Sequence, residues 1–250
     1  MSTPTSAHTP DLTAEMADAE RIVPPTLGRL VLAEGIGTAL LLIAVVGSGI
    51  MAATRSPLDE GLQLLEAALA TGMGLAAIIM AIGPVSGAHL NPAVTLADQL
   101  LHPDGWRRPG AWTRTGSFVL AQLAGGAVGV MIANAMFDLD AVTFGTTRRT
   151  GAGQWLGEAV ATYGLVLVIF LMVRARASVP AIAVAVGALV AGAHWFTSST
   201  SFANPAVTFS RMLTDTFAGI APGDVLPFVA VQLLAALAAV GTVALLRPAD

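Results

Sequence analysis

Apolar and polar positions fall into long blocks along this chain, not into the short alternations of a half-buried strand. A helix crossing a bilayer needs about 20 mostly apolar residues, and six blocks qualify: residues 30–52, 62–82, 112–136, 154–173, 179–196 and 225–246. The fifth is the shortest, so its polar end has to fall at an interface. Between the second and third blocks, and again between the fifth and sixth, a segment opens with Asn-Pro-Ala. Each then runs for about ten helix-compatible residues, roughly 15 Å at 1.5 Å per residue. That spans half a bilayer. Such half-helices are tolerated at membrane depth only where protein buries them or where they line a wet cavity. The pattern therefore predicts an all-α membrane protein with six spans and two re-entrant half-helices.

Composition agrees. Hydrophobic residues make up 55% of the chain and charged residues 11%, against about 25% charged in soluble domains. A surface this poor in charge faces a lipid bilayer. There is no Cys, which excludes disulfides, thiolate nucleophiles and cysteine metal sites. The net charge is −4 and no basic block is present, so nothing points to nucleic acid. No cofactor or metal motif is found, and no base and nucleophile come together as an enzyme would require. Residues 1–26 are polar and interrupted by Pro, the composition of a disordered tail; residues 27–250 form the membrane domain.

Arginine placement sets the expected orientation. Arg21, Arg29, Arg107, Arg108, Arg114, Arg174, Arg176 and Arg247 fall on the side that holds both termini, and Arg55, Arg148, Arg149 and Arg211 on the other. The positive-inside rule then puts both termini in the cytoplasm of a cell-membrane protein.

The halves, about 27–136 and 153–247, repeat one another. AEGIGTALLL holds Glu34 and Thr38; GEAVATYGLV holds Glu158 and Thr162 at the same spacing. HLNPAVTLAD and FANPAVTFSR hold Asn91, Pro92 and Ala93, and Asn204, Pro205 and Ala206. Gln122 and Gln232 follow in the next span of each half. Three spans per half is an odd number, so the second repeat is inverted. Inverted repeats with broken helices at their interface mark transport proteins with a midplane site.

Asn is a favoured N-cap and Pro suits the first helical position. One such start is an ordinary cap. Two that reach mid-membrane from opposite faces bring their positive dipole ends together, with an amide NH2 of each Asn left to face the gap. A column of water or polyol there meets donors and a potential opposing cations.

The paired Asn-Pro-Ala motifs, SGAHLNPAVT, the AEGIGT opening and the Glu34/Glu158 pair resemble the aquaporin/aquaglyceroporin (major intrinsic protein) family. The resemblance spans about residues 27–247. It implies a right-handed bundle, a homotetramer with one pore per subunit, and no enzymatic step. It further implies that Glu34 and Glu158 are structural carboxylates accepting hydrogen bonds from the re-entrant loops. The rival reading of that pair is a proton-coupling site.

Counting from the motifs carries the family's narrow outer filter onto Thr71, Gly192, Ser201 and Val207, the last standing where the family normally has Arg. His194, two residues from Gly192, is turned by about 200° and is expected to face away as a packed or interfacial residue, with a role at the filter as the alternative. The four filter residues are small or apolar and uncharged, so the resemblance implies a wide pore for glycerol and other polyols, urea and ammonia, beside water. Arsenous acid, neutral at pH 7, fits the same description, and bacterial members lacking this Arg point the same way. Arg211, one turn beyond Val207, either is an interface residue favoured at a helix C-terminus or lines the outer vestibule and supplies charge the filter lacks. His89, two residues before the first motif, is expected at the cytoplasmic mouth as a polar rung, with gating by protonation as the alternative. His102 receives no role. An ion- or proton-coupled secondary transporter is the alternative.

Overall fold

The computed structural model describes residues 25–246. All of the expected tail except Pro25 and Thr26 falls outside them, as do Arg21 and Arg247. Among the described residues the ordered elements are helices: α1 (Leu27–Arg55), α2 (Glu60–Ser86), α3 (Pro92–Leu101), α4 (Ala111–Met136), α5 (Ala152–Arg174), α6 (Val179–Phe196), α7 (Pro205–Arg211) and α8 (Pro222–Leu245), with a 3₁₀ turn at Gly105–Arg107. Six are long and apolar enough to cross a membrane; α3 and α7 are the short ones. Local chemistry sets several boundaries. Asp59 accepts from the Leu62 N–H to open α2, and Ser178 accepts from the Ala181 N–H to open α6. Gly87, at φ 96°, closes α2 in the left-handed region that glycine enters at no steric cost.

Within the first half α1 packs on α2 and α4; within the second α5 packs on α6 and α8. The halves join through α2 on α6, and each half-helix rests on the last span of the other half, α3 on α8 and α7 on α4. Without a hydrophobic drive between helices in lipid, close approach through small residues supplies the attraction. At the α1–α4 crossing a Cβ on Gly125 would lie 2.9 Å from the Gly35 Cα, and one on Gly129 2.9 Å from the Ala39 Cα, each nearer still to the carbonyl oxygen. Gly125→Val therefore has to push these backbones apart and is expected to cost about 3 kcal/mol or more. Thermal melting in detergent reads this directly; a wild-type midpoint would mean that α1 and α4 do not approach as described.

Large apolar side chains such as Leu32, Leu120, Leu156 and Leu234 are exposed on the outside of the bundle, as lipid contact requires. The polar side chains buried within it include Glu34, Gln122, Glu158 and Gln232, all inaccessible to solvent. That inversion places the chemistry at the centre.

Candidate functional site

Each half-helix begins at the middle of the bundle with the same cap. The Asn91 Oδ1 accepts from the Ala93 N–H at 2.9 Å, and the Asn204 Oδ1 accepts from the N–H groups of Ala206 at 2.9 Å and Val207 at 3.3 Å. The amide NH2 groups do something the sequence did not show. Asn91 Nδ2 donates to the Ala203 carbonyl at 2.8 Å, and Asn204 Nδ2 donates to the Leu90 carbonyl at 2.8 Å. Each Asn thus ties its own helix start to the loop of the opposite half. One N–H of each amide is used in this brace, and the second remains for a passing solute.

The loops entering the half-helices are strained. Ala88, Leu90, Ser201 and Ala203 all have φ between 48° and 52°, a region costing non-glycine residues on the order of 1–3 kcal/mol each. The two carboxylates offset this. Glu34 accepts from the Ser86 hydroxyl at 2.6 Å, the His89 and Leu90 N–H groups at 3.0 and 2.7 Å, and Gln122 Nε2 at 2.8 Å. Glu158 accepts from the Phe202 and Ala203 N–H groups at 2.9 Å each and from Gln232 Nε2 at 2.6 Å. Gln122 and Gln232 reach on to the hydroxyls of Thr95 and Thr208. The two networks correspond almost atom for atom. Both oxygens of each carboxylate are thus engaged as acceptors of bonds from the re-entrant loops and the neighbouring spans.

Between the two motifs lies a cavity offering about 60 Å³ to the centres of water-sized spheres, with Asn91 and Asn204 on its wall. One water needs about 10–15 Å³ by this measure, so a short file of waters or one small polyol fits. The wall is two-sided. Leu41, Leu75, Ile79, Leu165 and Val186 make an apolar face, and the two re-entrant loops make the polar one. A second, outer cavity adjoins it, and Val45, Thr71, His194 and Arg211 line both. These four therefore form the neck between the cavities.

Thr71, Ser201 and Val207 line the main cavity, Thr71 at the neck and the other two inside it. Gly192 does not. A Cβ built on it would meet the exposed Phe196 ring at 3.5 Å, on the outer face of α6. The expectation for this pair is reversed: Val186, Val190 and His194, spaced four apart, present one face of α6 to the cavity. The count back from Asn204 crossed the irregular segment 197–204, whose length does not preserve helical phase. His194 Nδ1 lies 2.7 Å from the Val190 carbonyl, so that nitrogen carries the proton and Nε2 is left as an acceptor at the neck. Thr71 Oγ1, buried, has no protein partner.

Arg211 is 5% exposed. Its guanidinium lies over the Phe202 ring, 3.5 Å from the centroid, and its Nε donates to the Ala218 carbonyl. A second cation, to which the sequence assigned no place in the pore, joins it. Arg149 comes from the α4–α5 segment, lies 5.0 Å from the same Phe202 centroid, and lines the outer cavity. Burial pushes its guanidinium below the usual value, opposed by the Glu158 carboxylate. At the other end His89 lines the main cavity, with Nδ1 3.2 Å from the Thr95 hydroxyl and Nε2 3.9 Å from Asp98. The 113-residue offset between the motifs carries His89 onto Phe202 and Asp98 onto Arg211. Among the described residues no group of three or more His, Asp or Glu converges to hold a metal. His102 ends α3 and accepts from the Asp104 N–H.

Comparison with known proteins agrees with this architecture. Residues 22–201 match the family described as Major intrinsic protein. The chain is 44% identical over 227 residues to aquaglyceroporin AqpS of Rhizobium meliloti (strain 1021), covering 89% of this chain and 92% of the relative. It is 32% identical over 219 residues to aquaporin AqpM of Methanothermobacter marburgensis, covering 78% and 87%. The solved aquaglyceroporin from Plasmodium falciparum superposes with a TM-score of 0.66 at 21% identity, over 87% of this chain and 94% of that one, a likeness of fold. The chain belongs to the major intrinsic protein family: it is a multi-pass membrane channel for water and small solutes, not an enzyme.

Proposed function

We infer that the chain is a passive pore for small uncharged solutes such as glycerol and other polyols, urea and arsenous acid, in addition to water. The observation that carries this reading is the two-sided cavity itself. A polyol lays its carbon edge on the apolar face and its hydroxyls along the Asn amides and loop groups. Val207 bears on the same point, because an apolar side chain stands on the cavity wall one turn before Arg211 and narrows it less than a long polar one would. The neck adds an acceptor at His194 Nε2 and the unpartnered Thr71 hydroxyl, both suited to a solute that donates and accepts. AqpS, described as an aquaglyceroporin, supports the same class.

In this reading Glu34 and Glu158 are scaffold, both termini are cytoplasmic, the Arg149 mouth faces outward, and the working unit is a homotetramer with one pore per subunit. The test is stopped-flow swelling of vesicles with water, glycerol, urea and arsenite, with and without an imposed pH gradient. Swelling should follow the solute gradient alone. Uptake that needs the pH gradient would replace the pore with a coupled transporter.

A further inference from the structure

We propose that Arg149 is a specificity-determining residue of the pore: delivered by the α4–α5 segment and clasped in place from α8, it joins Arg211 as the cationic ring of the outer mouth. The inference rests on the channel reading above and names a residue that neither of the paired motifs contains.

The clasp is built for position. Arg148 makes a two-point ion pair with Asp224 in the first turn of α8, Nε to Oδ2 at 2.9 Å and an Nη to Oδ1 at 3.0 Å. The Arg149 backbone N–H donates to the same Asp224 Oδ2 at 2.8 Å. With its backbone held, the Arg149 side chain turns inward, where Nε donates to the Gly219 carbonyl at 2.9 Å and Nη2 to that of Phe217 at 3.3 Å. Arg211 uses the intervening carbonyl, that of Ala218. Three consecutive carbonyls and one aromatic ring therefore hold two guanidinium groups side by side on the wall of one cavity.

Like charges placed together need a reason, and the surroundings do not neutralise them. Among the described residues no carboxylate forms an ion pair with Arg149 or Arg211; the acid whose field reaches both is Glu158, engaged by the loop. Asp224 is taken by Arg148; Asp215, bound by the N–H and hydroxyl of Thr146, keeps its charge but lines neither of the two cavities that Arg211 lines. Two cations against one anion leave the mouth net positive. Each half-helix start contributes roughly half a charge to the centre, so the mouth adds a barrier to cations comparable with the central one. The positive charge absent at Val207 is thus supplied from outside the motif, leaving the cavity wall there apolar.

The test reads cation leak, as dissipation of an imposed membrane potential in sodium medium, beside glycerol swelling of the same vesicles. Arg149→Gln should raise the leak, and Arg149→Gln with Arg211→Gln should raise it on the order of tenfold or more, because Glu158 then dominates the mouth. Arg149→Lys keeps the charge and should hold the leak near wild type. Asp224→Glu, which displaces the clasp while keeping the charge that neutralises Arg148, should shift it in the direction of Arg149→Gln but less. Glycerol swelling above that of protein-free vesicles certifies an open pore in each case. An unchanged leak in the double variant with an open pore overturns the proposal. So does loss of swelling in every Arg149 variant, Lys included, which would make the residue a structural strap. Wild-type vesicles that fail to swell in glycerol would instead remove the solute reading.

Discussion

Glu34→Leu is expected to yield no stably folded protein, whereas Glu34→Gln should fold with reduced stability. Leu is close in volume to Glu, so the change opens no large cavity and isolates the loss of acceptors. Four donors converge on this carboxylate: the Ser86 hydroxyl, two backbone N–H groups and the Gln122 amide. Each buried donor left unmade costs about 1–3 kcal/mol, and bonds to a charged acceptor lie at the upper end. The same bonds hold Ala88 and Leu90 at φ 48° and 51°, so their loss releases backbone strain as well. Without them the loop before Asn91 has no reason to keep the Leu90 carbonyl facing Asn204, and the brace between the halves goes with it. Gln retains one acceptor oxygen but turns an NH2 toward donors, hence the intermediate effect. Size-exclusion profile and melting midpoint in detergent measure both variants. A Glu34→Leu protein that melts like wild type would show that the network is incidental.

What the sequence disclosed follows from how far along the chain each signal extends. A spanning helix is written in some twenty consecutive residues, so all six were legible, and the fifth block, 179–196, coincides with α6. α1, α2 and α5 run past both of their apolar limits and α4 and α8 past the N-terminal one only, because a helix continues into the interface until a cap stops it. The second half-helix is the exception. About ten residues were expected, but α7 has seven, closed by tight turns from Met212 to Phe209 and Leu213 to Ser210 as Arg211 folds over Phe202. Repetition makes Glu34 and Glu158, and Gln122 and Gln232, visible as counterparts in the two halves; that each Gln donates to its Glu comes from the structure.

Residues that act across loops were illegible. Gly192 and His194 cannot be told apart by distance from Asn204, because the coil 197–204 between them and the motif carries no helical phase. Arg149 stood in a segment with no marker, and its position depends on Asp224, 75 residues later. One signal was present: Asp224 is an acid at the start of an apolar block, and an acid there calls for a partner. Arg148 and Arg149 are the basic pair nearest the same face.

Val207→Arg is expected to cut glycerol permeability by about tenfold or more and water permeability by much less, for reasons of both volume and charge. Val207 lies on the wall of the main cavity, three residues past Asn204, and belongs to the apolar cluster that includes Leu41, Leu75 and Leu165. Space there is about 60 Å³ for water-sized spheres, so a guanidinium on a three-carbon stem occupies a large share of it. A single file of water can pass a side chain that a three-carbon solute cannot. The new cation would also sit four residues before Arg211 on one helix, on the same side, with Arg149 beyond. Three cations then face one Glu158 carboxylate. The new side chain must either displace Arg211 from Phe202 or point inward along the pore, and the inward course is the one that blocks. The variant's water flux provides the control, since a misfolded protein loses both permeabilities and a narrowed pore loses one. Glycerol and water falling together, or glycerol flux unchanged, would mean that position 207 does not set the width of this pore.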